Sequence, residues 1–254
     1  MPSQSQAKHV RALHRRKERR STGEFIVEGP RVLAELLRSG RPVTLVLYTE
    51  AAVAEPDGRD LLERTRQAGI HVESVSDAEM RKYAGTVTPQ GWLAVAPVPA
   101  WTWADVDVYR LIVLDGVRDP GNVGTLIRAA EALGAGGVVT LPGTADPWSP
   151  KVARAAAGSS LRLPVLEAEW DAVLDRLRGR SIPVWVAAAD GDPVSRSEAR
   201  PDQVAVVLGN EGAGVSAHIR AAADRAVAIP MTGDVESLNA AVAGAILMDR
   251  LFGG

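Results

Sequence analysis

Leu111-Ile-Val-Leu-Asp-Gly-Val-Arg-Asp-Pro-Gly-Asn-Val-Gly-Thr-Leu-Ile-Arg128 passes from a strand through a polar turn into a helix. Leu111–Leu114 is apolar throughout, as a strand covered on both faces of a parallel sheet must be. After the turn, Val123, Leu126, Ile127, Ala130 and Leu133 recur at helical spacing, and Gly134 ends the pattern. Asn122 is the expected cap, which leaves Gly124, Thr125, Arg128 and Glu131 on the polar side. A glycine-rich polar turn directly after a buried strand lies where open α/β sheets place their ligands. The glycines at 116, 121 and 124 do not spell the dinucleotide fingerprint, and the acid expected further on is missing, which argues against a nicotinamide-dependent oxidoreductase. Taken alone, Arg128 also reads as a surface partner of Glu131 at i,i+3.

The same alternation continues on both sides. Downstream, strands are expected at Gly137–Leu141, Val184–Ala189, Val204–Leu208 and Ala226–Ile229, with helices over 122–133, 149–157, 170–178, 216–223 and Glu236–Leu251. Upstream, strands are expected at Phe25–Val27, Val43–Tyr48, Ile70–Val72 and Trp92–Ala96, with helices over Pro30–Arg38 and Asp60–Ala68 and from Asp77. Pro97-Val-Pro-Ala-Trp-Thr-Trp103 reads as a linker, with Trp101 and Trp103 expected to pack between two α/β domains, 1–98 and 105–254. Helices alternating with apolar strands make the second a parallel-sheet α/β domain.

With 46% hydrophobic and 24% charged residues in 254, the chain is globular rather than disordered or fibrous. No apolar run long enough for a membrane span and no apolar-cored leader are present, so a cytoplasmic protein is expected. The absence of cysteine excludes disulfides, thiolate metal sites and Cys nucleophiles. None of His9, His14, His71 and His218 has metal-ligand spacing, so no metal is expected. The net charge of −2 hides an asymmetry: residues 1–42 carry ten Lys/Arg against four Asp/Glu. The densest run, Lys8 to Arg20, suits a nucleic-acid backbone through Arg11, Arg15, Arg16, Lys17, Arg19 and Arg20. A solvated basic arm without a partner is the plain alternative.

Two further polar segments follow strands. Gly209-Asn-Glu-Gly-Ala-Gly214 sets Glu211 among three glycines, where it either meets a ligand or merely favours a helix N-terminus. Ile229-Pro-Met231 leads to Ser237-Leu-Asn239, whose polar residues also serve as caps. Together with Asp119-Pro-Gly-Asn122-Val-Gly124-Thr-Leu-Ile-Arg128, these segments make residues 111–252 resemble the SpoU (TrmH-type) branch of the SPOUT RNA methyltransferases. All three family motifs stand in order and spacing. Residues 8–96, including Phe25-Ile-Val-Glu-Gly-Pro30, look more loosely like the small α/β substrate-binding domain that precedes many members. One departure is Ala156, in Arg154-Ala-Ala-Ala-Gly158, where members often carry Ser.

The resemblance implies a deep trefoil knot at the C-terminal end and a homodimer with composite sites. It implies S-adenosylmethionine as cofactor, held by Ala187, Ala188, Leu208, Gly209, Asn210, Glu211, Gly214, Ile229, Pro230, Met231, Ser237 and Leu238, with Ala189 in the same loop. It further implies methylation of a ribose 2′-hydroxyl, with Asn122, Arg128, Glu211, Ser237 and Asn239 at the reaction centre. Of possible RNAs, 23S rRNA is favoured over tRNA. A guanidinium stays protonated at any working pH, so Arg128 is read as a phosphate clamp and charge stabiliser, with the proton leaving to water, phosphate or Glu211. A base-methylating SPOUT enzyme and an inactive RNA-binding factor are the alternative readings.

Overall fold

In the computed structural model, which describes residues 2–195, 200–231, 233 and 237–253, the basic segment at the start is folded as helices, not as a free arm. Ser3 and Gln6 form a capping box that opens α1 (Gln4–Ala12), and Val10 and Leu13 are fully buried. Gly23, at φ +67°, closes α2 (Arg16–Thr22), with its N–H on the Arg19 carbonyl at 2.8 Å. Periodicity does not reveal these helices because polar and charged residues fill most of their positions. Bonds across the chain hold the pair: His9 Nε2 lies 2.7 Å from Glu24 Oε2, and His14 Nε2 lies 2.7 Å from the Tyr83 carbonyl.

The first of two compact units comprises Met1–Ala100 together with Trp148–Leu161. Its elements continue with β1 (Glu24–Glu28), α3 (Pro30–Arg38), β2 (Leu45–Tyr48), α4 (Glu50–Ala54), α5 (Gly58–Gln67), β3 (Val72–Ser74), α6 (Asp77–Tyr83) and β4 (Trp92–Pro97). The sheet order is β1-β4-β2-β3, with β4 antiparallel to both neighbours and β3 parallel to β2. Ile26, Leu47, Met80, Leu93 and Val95 form its core with Val10 and Leu13. At five residues, α4 is too short to show a period, and β3 begins two residues later than expected.

The second unit holds β5 (Arg110–Leu114), α7 (Pro120–Ala132) and β6 (Gly137–Thr140); α8 (Pro150–Ala156) belongs to the first unit. Then come β7 (Val165–Glu167), α9 (Trp170–Arg178), β8 (Val184–Pro193), β9 (Val204–Leu208), α10 (Ala217–Ala222), β10 (Arg225–Ala228) and α11 (Ala240–Leu251). All strands pair in parallel in the order β10-β8-β9-β5-β6-β7. Leu111, Val113, Val139, Val184, Val186 and Val207 pack in its core.

Trp148–Leu161 lies inside the stretch expected to form the second domain, yet groups with the first unit. Trp148 meets Phe25 edge-on at 5.3 Å, and Arg154 Nη1 lies 3.2 Å from the buried Glu28 carboxylate. Trp103, expected between domains, packs on the second unit's core with Arg176 over its ring at 4.7 Å. β8 runs past Ala189 to Pro193 because β10 continues beside it across a register shift, pairing Val227 with the polar Asp192. The last helix starts at Ala240 and not at Glu236, since the Asn239 side chain accepts from the Ala241 and Val242 N–H groups; Glu236 lies outside the described residues. Among the described residues no helix is long and apolar enough to cross a membrane.

Candidate active site

At the carboxyl end of β5, Asp119 caps α7: its Oδ1 accepts the Asn122 N–H at 2.9 Å, and Pro120 occupies the first helical position. Asn122 is therefore in the first turn and does not cap the helix. The preceding Asp-Pro pair supplies an earlier, better-matched start, and this frees the Asn122 side chain to reach across the site.

Opposite it, β9 ends in a closed loop. The Asn210 N–H donates to the Gly214 carbonyl at 3.0 Å, and the Gly214 N–H returns the bond at 2.9 Å. Asn210 Oδ1 accepts from the Gly212 and Ala213 N–H groups at 3.0 Å each, while Nδ2 donates to the Gly116 carbonyl at 2.9 Å. The buried Asp115 carboxylate accepts the Ser216 N–H at 2.7 Å from the other side. Gly209 permits this closure, for a Cβ there would lie 2.2 Å from the Gly214 carbonyl carbon.

Glu211 joins the two elements. Oε1 accepts from the Asp119 N–H at 3.1 Å and Asn122 Nδ2 at 2.9 Å; Oε2 accepts from the Arg118 N–H at 3.2 Å and Asn210 Nδ2 at 3.3 Å. Asn239 Nδ2 donates in turn to Asn122 Oδ1 at 2.9 Å. An unbroken relay, Asn239 to Asn122 to Glu211, thus ties three segments far apart in sequence. Partial burial pushes the Glu211 carboxyl up, but the bonds from Asn122 and the backbone N–H groups outweigh it and hold its pKa below the ordinary value. A carboxylate so engaged is held in its charged form and clamps the two elements together.

This fixes the sign of a pH effect. A depressed folded-state pKa contributes stability that is present above the unfolded value of about 4.5 and is lost as pH falls through the folded value. In thermal melts of wild type and Glu211→Gln, the gap in Tm is expected to be open above that pH and to close below it. A gap that does not change with pH contradicts the clamp.

A cavity of about 370 Å³ opens beside the relay. Of the residues expected there, Ala187, Ala188, Leu208, Gly209, Asn210, Glu211, Gly214, Ile229, Met231, Ser237 and Leu238 line it. Pro230 does not. Asn239, expected at the reaction centre, is also part of the lining, as is Ala189. Val227, Ala228, Ala240, Ala243 and Leu247 complete the wall and were missed. The signal for the last three lay in small and apolar residues at helical spacing on α11, which can be read only once a partner surface is known. The lining suits an organic ligand with an apolar body, received by small side chains, and polar ends, received by Asn210, Ser237 and loop backbone. Among the described residues no group of three acids or histidines is placed to hold a metal ion.

Arg128 is exposed, does not line this cavity, and has no side-chain partner among the described residues. Glu131 is taken instead by Arg162, with Nη2–Oε2 at 2.9 Å, so the surface-pair reading of Arg128 fails. In the first unit Arg11, Arg15, Arg16, Lys17 and Arg20 are exposed. Arg19 is not: it is 5% exposed, with Nη1 on the Leu13 carbonyl at 2.7 Å, so it braces the two helices and leaves the surface set.

The profile of the SpoU rRNA methylase family matches residues 109–249, and that of the MRM3-like substrate binding domain matches residues 4–94. A relative from Bacillus subtilis, 23S rRNA (guanosine(2553)-2′-O)-methyltransferase RlmP, is 33% identical over 97% of this chain and 95% of its own. The 23S rRNA (uridine(2479)-2′-O)-methyltransferase of Streptomyces viridochromogenes is 30% identical over 93% of this chain and 85% of its own. Among solved structures, the SpoU methyltransferase AviRb of that organism, in complex with AdoMet, superposes with a TM-score of 0.87 at 27% identity, covering 98% of this chain and 97% of that one.

Proposed function

The chain belongs to the SpoU rRNA methylase family, and from that premise we propose that it transfers a methyl group from S-adenosylmethionine to a ribose 2′-hydroxyl of 23S rRNA. The observation that supports the reading is the Asn239–Asn122–Glu211 relay, in which Asn122 of the first motif bonds to Glu211 and Asn239, residues of the other two motifs that line one cavity.

S-adenosylmethionine, when bound, supplies a methyl group already activated by its sulfonium. The protein's task is then to hold, orient and shield. Leu208, Ile229, Met231, Leu238 and Leu247 give the cavity its apolar wall, and Ala187, Ala188 and Gly209 leave room along the strand ends. Glu211 keeps the loops at that wall in place. Arg128 supplies a planar cationic fork that holds the phosphate next to the target ribose and stabilises negative charge developing on the 2′-oxygen. The proton leaves to water or to that phosphate.

A homodimer with composite sites belongs to the same proposal. It is supported by the absence of Arg128 from the cavity of its own chain and by the exposure of Met231, Leu238 and Val242 around the start of α11. A trefoil knot through the segments 208–214 and 229–239 is the accompanying topology, and the cytoplasm, where rRNA is modified, the place of action.

The first unit selects the RNA. Replacing Arg15, Arg16, Lys17 and Arg20 together by Gln is expected to weaken rRNA binding and reduce its salt dependence by about 0.7 to 0.9 in log–log slope for each phosphate no longer neutralised. Affinity for S-adenosylmethionine should stay unchanged. Filter binding across a salt series checks this, and an unaltered slope rejects it. The overall reading is tested by transfer of labelled methyl to deproteinised rRNA and, separately, to tRNA, with label expected in rRNA alone.

A further inference from the structure

Arginines of the second unit are mostly engaged. Arg162 holds Glu131, Arg178 holds Asp224, Arg220 holds Asp190, Arg225 holds Asp192, and Arg176 lies over Trp103. Arg118 differs. It is exposed, and among the described residues its guanidinium meets no acid, ring or carbonyl.

Its main chain is nevertheless held firmly. The Arg118 N–H donates to Glu211 Oε2 at 3.2 Å and the next N–H donates to Oε1 at 3.1 Å, and Glu211 lines the cavity. The neighbouring acids are already committed. Asp115 accepts from Ser216, Asp119 caps α7, and Glu211 accepts four N–H bonds. A cation with no acid partner among the described residues therefore stands on a main chain bonded to Glu211, a residue of the cavity wall. A guanidinium only donates, and phosphate oxygens are the anionic acceptors that RNA offers at every nucleotide. Arg128 lies nine residue steps beyond Asp119, about 14 Å along α7 at 1.5 Å per residue, and in a dimer with composite sites it serves the partner's cavity, so the phosphate at Arg118 is not the one that Arg128 of the same chain holds.

We infer that Arg118 holds a backbone phosphate of the substrate RNA at the cavity rim, on a nucleotide flanking the one that is methylated. The inference rests on the RNA methyltransferase reading and adds to it a determinant of RNA affinity outside the reaction centre.

Steady-state methyl transfer to deproteinised rRNA and filter binding of the same RNA, over about 50 to 200 mM salt, test it with Arg118→Gln and Arg118→Lys. Arg118→Gln is expected to raise KM for RNA about tenfold, the loss of one charge-assisted hydrogen bond. Turnover and KM for S-adenosylmethionine should stay within about twofold, the pattern of lost uniform binding. The log–log salt slope should shrink by about 0.7 to 0.9, one phosphate's worth. Arg118→Lys should recover the slope and part of KM. An unchanged KM and slope in Arg118→Gln overturns the inference alone, provided the wild type transfers methyl. Loss of cofactor binding in that variant assigns Arg118 a structural role and also overturns it. A wild type that transfers no methyl to rRNA overturns the underlying reading along with it.

Discussion

Arg128→Ala is expected to lower kcat about 10²- to 10³-fold, the cost of removing one preorganised donor from a developing oxyanion. Tm should not move, because the side chain is exposed and touches no acid or carbonyl among the described residues. Affinity for S-adenosylmethionine should also hold, since the role proposed for Arg128 is toward the RNA phosphate and the 2′-oxygen and not toward the cofactor. Arg128→Lys separates charge from shape. A lysine keeps the cation but not the planar fork, so it should restore less than about a tenth of the lost turnover. Near wild-type turnover in the lysine variant contradicts the bidentate role. A fall in Tm would show instead that Arg128 supports the fold.

Gly209→Ala is expected to strike the cofactor site. The added methyl would lie 2.2 Å from the Gly214 carbonyl carbon and 2.3 Å from the Val215 nitrogen, both backbone atoms that cannot step aside. Relief requires opening the loop that Asn210 and Gly214 close on each other. Overpacking of this kind costs about 1 to 3 kcal/mol, which corresponds to roughly fivefold to 150-fold in affinity. Calorimetric titration with S-adenosylmethionine reads the loss directly. Gly212→Ala is the control, because a Cβ there meets nothing closer than Asn210 Oδ1 at 3.8 Å. Equal effects of the two substitutions would show that the close approach of Gly209 to Gly214 is not what shapes the site.

The parts legible in sequence were those encoded locally. Pro30 at the first helical position and the apolar spacing of Val32, Leu33 and Leu36 delimit α3 to the residue. The apolar runs of β5 and β9 stand out because both faces of each strand are covered. What depended on distant partners was not legible. Asn122 reads as a cap until Asp119 is seen to fill that role, and its bond to Asn239 joins residues 117 apart in the chain. Arg19 sits in a basic run like its neighbours, and its burial and its bond to the Leu13 carbonyl mark it as a brace. The strand-helix alternation gives no hint that Trp148 and Arg154 join the first unit, because that depends on Phe25 and Glu28. The resemblance to a family supplied the identity of Glu211 as a site residue, whereas its role as a clamp came from four hydrogen bonds that only the fold reveals.

The most direct test of the central claim is the chemical form of the product. Deproteinised rRNA labelled by the wild-type enzyme with S-adenosylmethionine is digested with alkali, which cleaves RNA only where a free 2′-hydroxyl neighbours the phosphate. Label recovered in alkali-resistant dinucleotides is the predicted result and establishes ribose 2′-O-methylation. Label recovered in ordinary mononucleotides would place the methyl on a base and contradict the account.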